Sequence, residues 1–219
     1  MSDPGEPGRR LVLVRHGQTD WNAEQRGQGH SDVDLNEVGV TQAKAAAPVL
    51  AALGPQRLWS SDLRRAAHTA QIIGGACGLE PRLDARLREY DLGERTGITM
   101  SEYRERYPEE YARFRAGQYD VVPGGETTPI VVARISAALS DALASVDPGE
   151  TAMVVGHGAG LKVTLLNLLD LPTESVGRWR ALDNCGWVML EETQLGGVLR
   201  LVAYNMRATD AAFGPGPTF

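Results

Sequence analysis

Leu11-Val12-Leu13-Val14-Arg15-His16-Gly17-Gln18-Thr19-Asp20-Trp21-Asn22 is the stretch on which the reading of this chain turns. Four aliphatic residues in a row mark a strand buried on both faces, as in a parallel sheet with helices above and below it. Gly17 ends the strand in a turn. Arg15 and His16 are thereby delivered to the strand's C-terminal end, where open α/β sheets place their ligands. A guanidinium grips phosphate with two parallel hydrogen bonds, and an imidazole can serve as a nucleophile.

The chain around this stretch is of ordinary globular character. Its 219 residues are 42% hydrophobic and 23% charged, enough to bury a sizeable core. A net charge of −6 argues against a general nucleic-acid binder but not against an anionic substrate, because local arginines set the field inside a cleft. Cys77 and Cys185 read as buried free thiols, not a disulfide framework. No apolar run is long enough for a membrane span, and residues 1–10 lack the apolar core of a signal peptide. These features imply a cytoplasmic protein with a short disordered N-terminal tail.

The chain then alternates. A polar loop over 18–34 holds Asn22, Arg26, Gln28 and His30. Asn36 is expected to cap a helix running toward Leu53, kinked or shortened by Pro48. Arg57 to Ser60 is a short strand. Asp62 is expected to cap a helix that ends near Gly78. Pro81 to Leu87 reads as extended. Residues 94–125 differ in composition, with Arg104, Arg106, Arg113 and Arg115 set among aromatic residues, and read as short helices outside the sheet. They form either a solvated insertion or a lid. An amphipathic helix over 128–145 follows, with Pro129 at its first position. Next come a second buried strand (151–155), a helix over 159–169 and a closing strand pair turning at Gly196-Gly197. The expected fold is α/β: a three-layer α/β/α sandwich on a mostly parallel sheet with an antiparallel edge strand. One domain spans 11–207, with a loose tail over 208–219.

Two strand ends carry the same device, His16-Gly17 and His157-Gly158. Arg65 stands near the start of a helix, where anions are favoured. Glu89 follows an extended segment in Arg88-Glu89-Tyr90-Asp91-Leu92-Gly93. Gly156, Gly158 and Gly160 suggest a dinucleotide loop only superficially, since Leu161 stands where the third glycine is required. The four histidines lack zinc-site spacing, so neither a metal nor another cofactor is expected.

Taken together and in order, these motifs resemble the histidine phosphatase superfamily, the phosphoglycerate mutase-like proteins. The resemblance rests on Arg15-His16-Gly17 with Thr19-Asp20-Trp21-Asn22, on Leu63 to Ala70 with Arg65 before Ala66, on Leu87 to Gly93 and on Val155-Gly156-His157-Gly158. It covers about Leu11 to Leu190. It implies that His16 is the nucleophile, that Arg15, Arg65 and His157 surround the phosphoryl oxygens, and that Glu89 is the general acid. A backbone carbonyl is expected to hold the second nitrogen of His16. Asn22, Gln28, Gly158 and Ala159 are expected at the substrate. His30 and His68 read as structural, and Arg64 as a surface residue. Ala159 and Lys162 depart from the family's usual pattern, which bears on substrate choice.

The resemblance further implies a phosphatase acting on small phosphorylated sugars or sugar acids, with a cofactor-dependent phosphoglycerate mutase as the alternative. A catalytically silent phospho-ligand-binding domain is a third reading, disfavoured by the intact Arg15, His16, Arg65, Glu89 and His157. The four arginines of 94–125 would suit a mutase, but Glu102, Glu105, Glu109 and Glu110 interleave with them and offset their field. The expected partner is a small phosphorylated substrate, with neither nucleic acid nor membrane. The oligomeric state is left open, a homodimer included.

Overall fold

The computed structural model describes residues 7–193 and 197–209. The expected tails lie outside the described residues over 1–6 and 210–219, as does Gly196 of the expected turn. Strand β1 (Arg10–Arg15) forms at the aliphatic run, one residue earlier than its apolar core. A short helix α1 (Asp20–Ala23) interrupts the polar loop, because Thr19 and Asn22 make a reciprocal capping box. Helix α2 (Glu37–Ala51) begins at Asn36, whose side chain accepts from the Gly39 amide. Pro48 does not stop it. The proline sits on the exposed side of the last turn, and the helix continues to Ala51.

Strand β2 (Arg57–Ser60) leads into helix α3 (Arg64–Cys77), which ends at Gly78 with φ 67°. Asp62 does not cap α3. It pairs with Arg88, while Asp32 from the distant polar loop accepts from the Arg64 amide at 2.7 Å. The extended segment expected over 81–87 is mostly not strand: β3 (Arg82–Leu83) gives way to a 3₁₀ turn at Ala85–Leu87. Helices α4 (Met100–Arg106) and α5 (Pro108–Arg115) follow, then α6 (Thr128–Ala144) with proline in its first turn. Strand β4 (Thr151–Gly156), helix α7 (Gly158–Leu168) and strands β5 (Trp187–Glu192) and β6 (Leu199–Met206) complete the described residues. Cys77 and Cys185 are both free, and Cys77 is only half-buried.

The six strands lie in the order β3-β2-β4-β1-β5-β6. The first four run parallel, and the antiparallel edge is the β5–β6 hairpin. Alternation along β1 explains the three layers. Leu11 and Leu13 pack toward α6 and α7 with Ile135, Leu139 and Leu161, while Val12 and Val14 pack toward α2 and α3 with Leu50, Ala66 and Ile73. Each such side chain, withdrawn fully from water, contributes roughly 1.5–3 kcal/mol. No helix among the described residues is long and apolar enough to cross a membrane.

For the site, the decisive pairing is β1 with β4, in register Arg15↔Gly156. It sets His16 and His157, each one residue further on, at neighbouring strand ends. The turn after His16 is pressed against the first turn of α2, where a Cβ on Gly39 would overlap the Gln18 carbonyl and lie 2.7 Å from its nitrogen. Gly39→Ala should therefore destabilise the protein by about 1–3 kcal/mol despite alanine's better helix propensity, since the obstacle is main chain and cannot rotate away. Gly75, exposed in α3, has nothing within 4 Å of an added Cβ. Gly75→Ala should stabilise by roughly 0.5–1 kcal/mol. Urea unfolding midpoints of the two variants should move in opposite directions.

Candidate active site

A cavity of about 240 Å³ opens at the C-terminal ends of β1, β4 and β2, and eight of the nine residues singled out in the sequence line it. The ninth, His157, lies just behind the wall, its ring centroid 5.1 Å from that of His16. Both imidazoles are buried, at 3% and 1% exposure. Nδ1 of His16 donates to the Gly17 carbonyl at 2.7 Å. A carbonyl only accepts, so Nδ1 carries the proton and the lone pair resides on Nε2. Burial, then the charges of Arg65 and Arg15, hold His16 neutral, well below its ordinary value of 6.5. The same causes act on His157. Its Nε2 pairs with the Ser61 hydroxyl at 2.8 Å, and its buried Nδ1 has no hydrogen-bond partner in the protein.

The arginines are held by main chain, not by carboxylates. Arg65 is 1% exposed and donates to the carbonyls of Ser31 (2.7 Å) and Gly29 (2.8 Å). Arg15 donates to the Leu182 carbonyl. The Nε atoms of both are buried without a partner. Burial pulls Arg65 down to about 10, still cationic at neutral pH, and pulls Arg15 down as well. Arg64 faces outward in an exposed pair with Asp34.

Glu89 has the opposite surroundings. Its carboxylate accepts from the amides of Gly160 (2.7 Å), Ala159 (3.0 Å) and its own neighbour Tyr90 (3.0 Å), the first two at the N-terminus of α7. The main chain of this loop is clamped from behind. Arg134 of α6 donates to the carbonyls of Arg86, Arg88 and Glu89 and pairs with Glu126. His30 donates to the Glu89 carbonyl at 2.8 Å, a structural role. Ala159 lines the cavity, but its amide is taken by Glu89. Gly158 lets Arg15 approach: a Cβ there would lie 3.3 Å from Arg15 Nε. Asn22 Oδ1 accepts from the Thr19 amide and from Asn184, and Oε1 of Gln28 is buried and unpartnered.

Several residues escaped the sequence reading. Thr69 accepts from the Gly17 amide at 3.0 Å and donates to the Arg65 carbonyl at 2.7 Å, joining the turn of His16 to the helix of Arg65. The spacing Arg65 to Thr69, one helical turn, was the available signal. Ser61 carried none, because its partner His157 is 96 residues away, and neither did Arg134, whose grip on the Glu89 carbonyl spans 45 residues. Arg104, Arg106, Arg113 and Arg115 are all exposed, and the outer wall of the cavity comes from Phe114, Tyr119 and Val122.

The model of the histidine phosphatase superfamily (branch 1) matches residues 11–205. A glucosyl-3-phosphoglycerate phosphatase of Mycobacterium tuberculosis (strain CDC 1551 / Oshkosh) is 38% identical over 83% of this chain and 85% of its own. A protein named probable phosphoglycerate mutase, from Cronobacter sakazakii, is 40% identical over 80% of this chain and 81% of its own. Among solved structures, a mycobacterial glucosyl-3-phosphoglycerate phosphatase in complex with VO3 superposes with TM-score 0.84 at 36% identity, covering 90% of this chain and 99% of that one.

The buried neutral histidines have a consequence for stability. In the unfolded chain each takes up a proton as pH falls through about 6.5, whereas in the folded protein neither does until well below that value. The unfolded state then binds more protons, so stability is lost as pH falls from 7 toward 5. The slope should approach about 1.4 kcal/mol per pH unit for each histidine. Asp62, Asp84, Glu126 and Glu192, held low chiefly by hydrogen bonds to arginine or main chain set against burial, act only below about 4.5. Urea midpoints measured from pH 7 to 5 should fall steeply in the native protein and about half as steeply in His157→Asn. A flat profile would contradict neutral burial.

Proposed function

Since the chain belongs to the histidine phosphatase superfamily, we propose that it hydrolyses small phosphate monoesters of sugars or sugar acids through a phosphohistidine on His16. The observation that carries this reading is the hydrogen bond from His16 Nδ1 to the Gly17 carbonyl, which leaves a lone pair on Nε2 of a neutral ring. Nε2 attacks phosphorus, the ester P–O bond breaks, and the leaving alkoxide takes a proton from Glu89. Water then attacks the phosphohistidine, Glu89 recovers a proton from it, and inorganic phosphate departs. Arg15, Arg65 and His157 hold the non-bridging oxygens, where charge must be carried in the transition state. The unpartnered Nε atoms of both arginines and Nδ1 of His157 are donors available for that task. Asn22 and Gln28 act at the same oxygens or at the leaving group.

Helices α4 and α5, with the turn that carries Tyr119, act as a cover over the site, and the reaction takes place in the cytoplasm. Arg104, Arg106, Arg113 and Arg115 of that cover lie outside the cavity among glutamates, so the cover is charge-balanced and admits water, which favours hydrolysis over mutase chemistry. Purified protein should release phosphate steadily from such a panel of esters, with little interconversion of 3- and 2-phosphoglycerate. Rapid interconversion primed by bisphosphoglycerate, with phosphate release a hundredfold slower, would make it a mutase.

Two substitutions test the roles. His16→Ala should lose both turnover and the acid-labile phosphoryl label trapped by rapid quench. Glu89→Gln should lower turnover of alkyl phosphates by about 10²-fold or more, because their alkoxides leave poorly without a proton. The loss on an aryl phosphate, whose leaving group is stable, should be far smaller. Equal losses would assign Glu89 to positioning alone.

A further inference from the structure

His16 and His157 stand on the same device, a strand that ends in His-Gly, yet their rings are held by different kinds of partner. Nδ1 of His16 meets a carbonyl, which can only accept. Nε2 of His157 meets the Ser61 hydroxyl at 2.8 Å, a group that can donate or accept. Strand order sets this contact. Ser61 follows β2, and its amide donates to the Val155 carbonyl of the neighbouring β4 at 2.9 Å. His157 stands two residues beyond Val155, so hydroxyl and ring meet at adjoining strand ends.

The surroundings of Ser61 decide where the proton lies. Its side chain is fully buried, at 0% exposure. Besides His157, its Oγ has one hydrogen bond among the described residues, from the Leu63 amide at 3.3 Å, and an amide only donates. Burial, then the charge of Arg65, keeps the His157 ring neutral, so it has one N–H and one lone pair. Were the proton on Nε2, the ring would donate to Ser61. The hydroxyl hydrogen would then lack an acceptor, and the lone pair of the buried Nδ1 would be unpaired too. With the proton on Nδ1, the hydroxyl donates to Nε2 and accepts from Leu63, and only the Nδ1–H is left over. Buried polar groups are rarely orphaned, which selects the second arrangement.

We propose that Ser61 is a positioning residue that fixes His157 as the Nδ1–H tautomer and so makes its second nitrogen a hydrogen-bond donor to the phosphoryl oxygens. The inference rests on the phosphatase reading for what the donor meets and adds what makes it a donor. The two rings carry their protons on the same atom with opposite results. The Gly17 carbonyl takes up the N–H of His16 and leaves a lone pair for attack on phosphorus. The Ser61 hydroxyl takes up the lone pair of His157 and leaves an N–H to hold an oxygen. A lone pair in that place would repel the oxygens as their charge develops. With its basic nitrogen engaged, His157 takes no part in proton transfer, which falls to Glu89.

Long-range nitrogen–proton correlation NMR on isotope-labelled native protein should show His157 protonated on Nδ1, as His16 is. In Ser61→Ala the His157 ring should populate both tautomers while His16 is unchanged. The same substitution should lower kcat/KM for phenyl phosphate by about tenfold, chiefly in kcat, since a misdirected donor costs less than the roughly 10²–10³ of one removed outright. In a His157→Ala background it should change kcat/KM by less than about twofold, because its effect passes through the ring. Kinetics are compared below the thermal unfolding transition of every variant, so that loss of fold is read separately. A native His157 protonated on Nε2 would overturn the proposal. So would equal losses in the two backgrounds, which would assign Ser61 to the Leu63 amide and the start of α3. Native protein with the Nδ1–H tautomer that Ser61→Ala disperses, but with no turnover of any monoester, would support the role of Ser61 and remove the phosphatase reading alone.

Discussion

Two guanidinium groups buried beside two imidazoles, with main-chain carbonyls instead of carboxylates for partners, are the constraint on which the rest of this structure depends. Carbonyls satisfy N–H donors without cancelling charge. The 28–31 loop brings the carbonyls of Gly29 and Ser31 to Arg65, and the segment before β5 brings that of Leu182 to Arg15. Both segments need unusual backbone to do so: Gly29 has φ 50° and Cys185 has φ 55°. The Cys185 amide donates to the carbonyl of Arg15, so strand end and loop hold each other. The outcome is a cavity that stays electropositive, in a chain that is acidic as a whole.

That positive field decides the state of the histidines. A buried imidazole between arginines cannot keep a second proton, and the Gly17 carbonyl selects which nitrogen keeps the one that remains. The same turn is tied through Thr69 to the helix that carries Arg65. His16 and Arg65 therefore share one hydrogen-bonded frame, and neither can shift independently. Preorganised donors of this kind need not reorient as charge develops, which is where enzymes gain most.

Glu89 is handled by reversed polarity. Amides hold its carboxylate, while the Arg134 guanidinium and the His30 imidazole donate to carbonyls of its own loop. Arg88 is drawn off to Asp62, away from the cavity. A carboxylate paired directly with Arg15 or Arg65 would cancel the charge at the floor of the cavity. Setting it on the start of α7 keeps it close without that contact.

How much of this was legible in the sequence follows from the range of each interaction. The aliphatic run of β1, the cap at Asn36, the stop at Gly78 and the strand–His–Gly pairs are local or periodic, and all lie where the residues imply. Pro48 misled because a proline on the exposed side of a last turn removes one donor and little else. Asp62 misled because an arginine 26 residues away outcompeted the helix amide, and Asp32 took its place as cap. The Ser61 hydroxyl at His157, the α7 amides at Glu89 and the loop carbonyls held by Arg134 come from 45 to 96 residues away. By itself the sequence determined the elements, the layers and most of the residues that meet at the cavity, because those depend on near neighbours and on period. Only the tertiary structure decided which histidine nitrogen is free and what holds the arginines, because those depend on strand order and on loops that meet only when the sheet has formed.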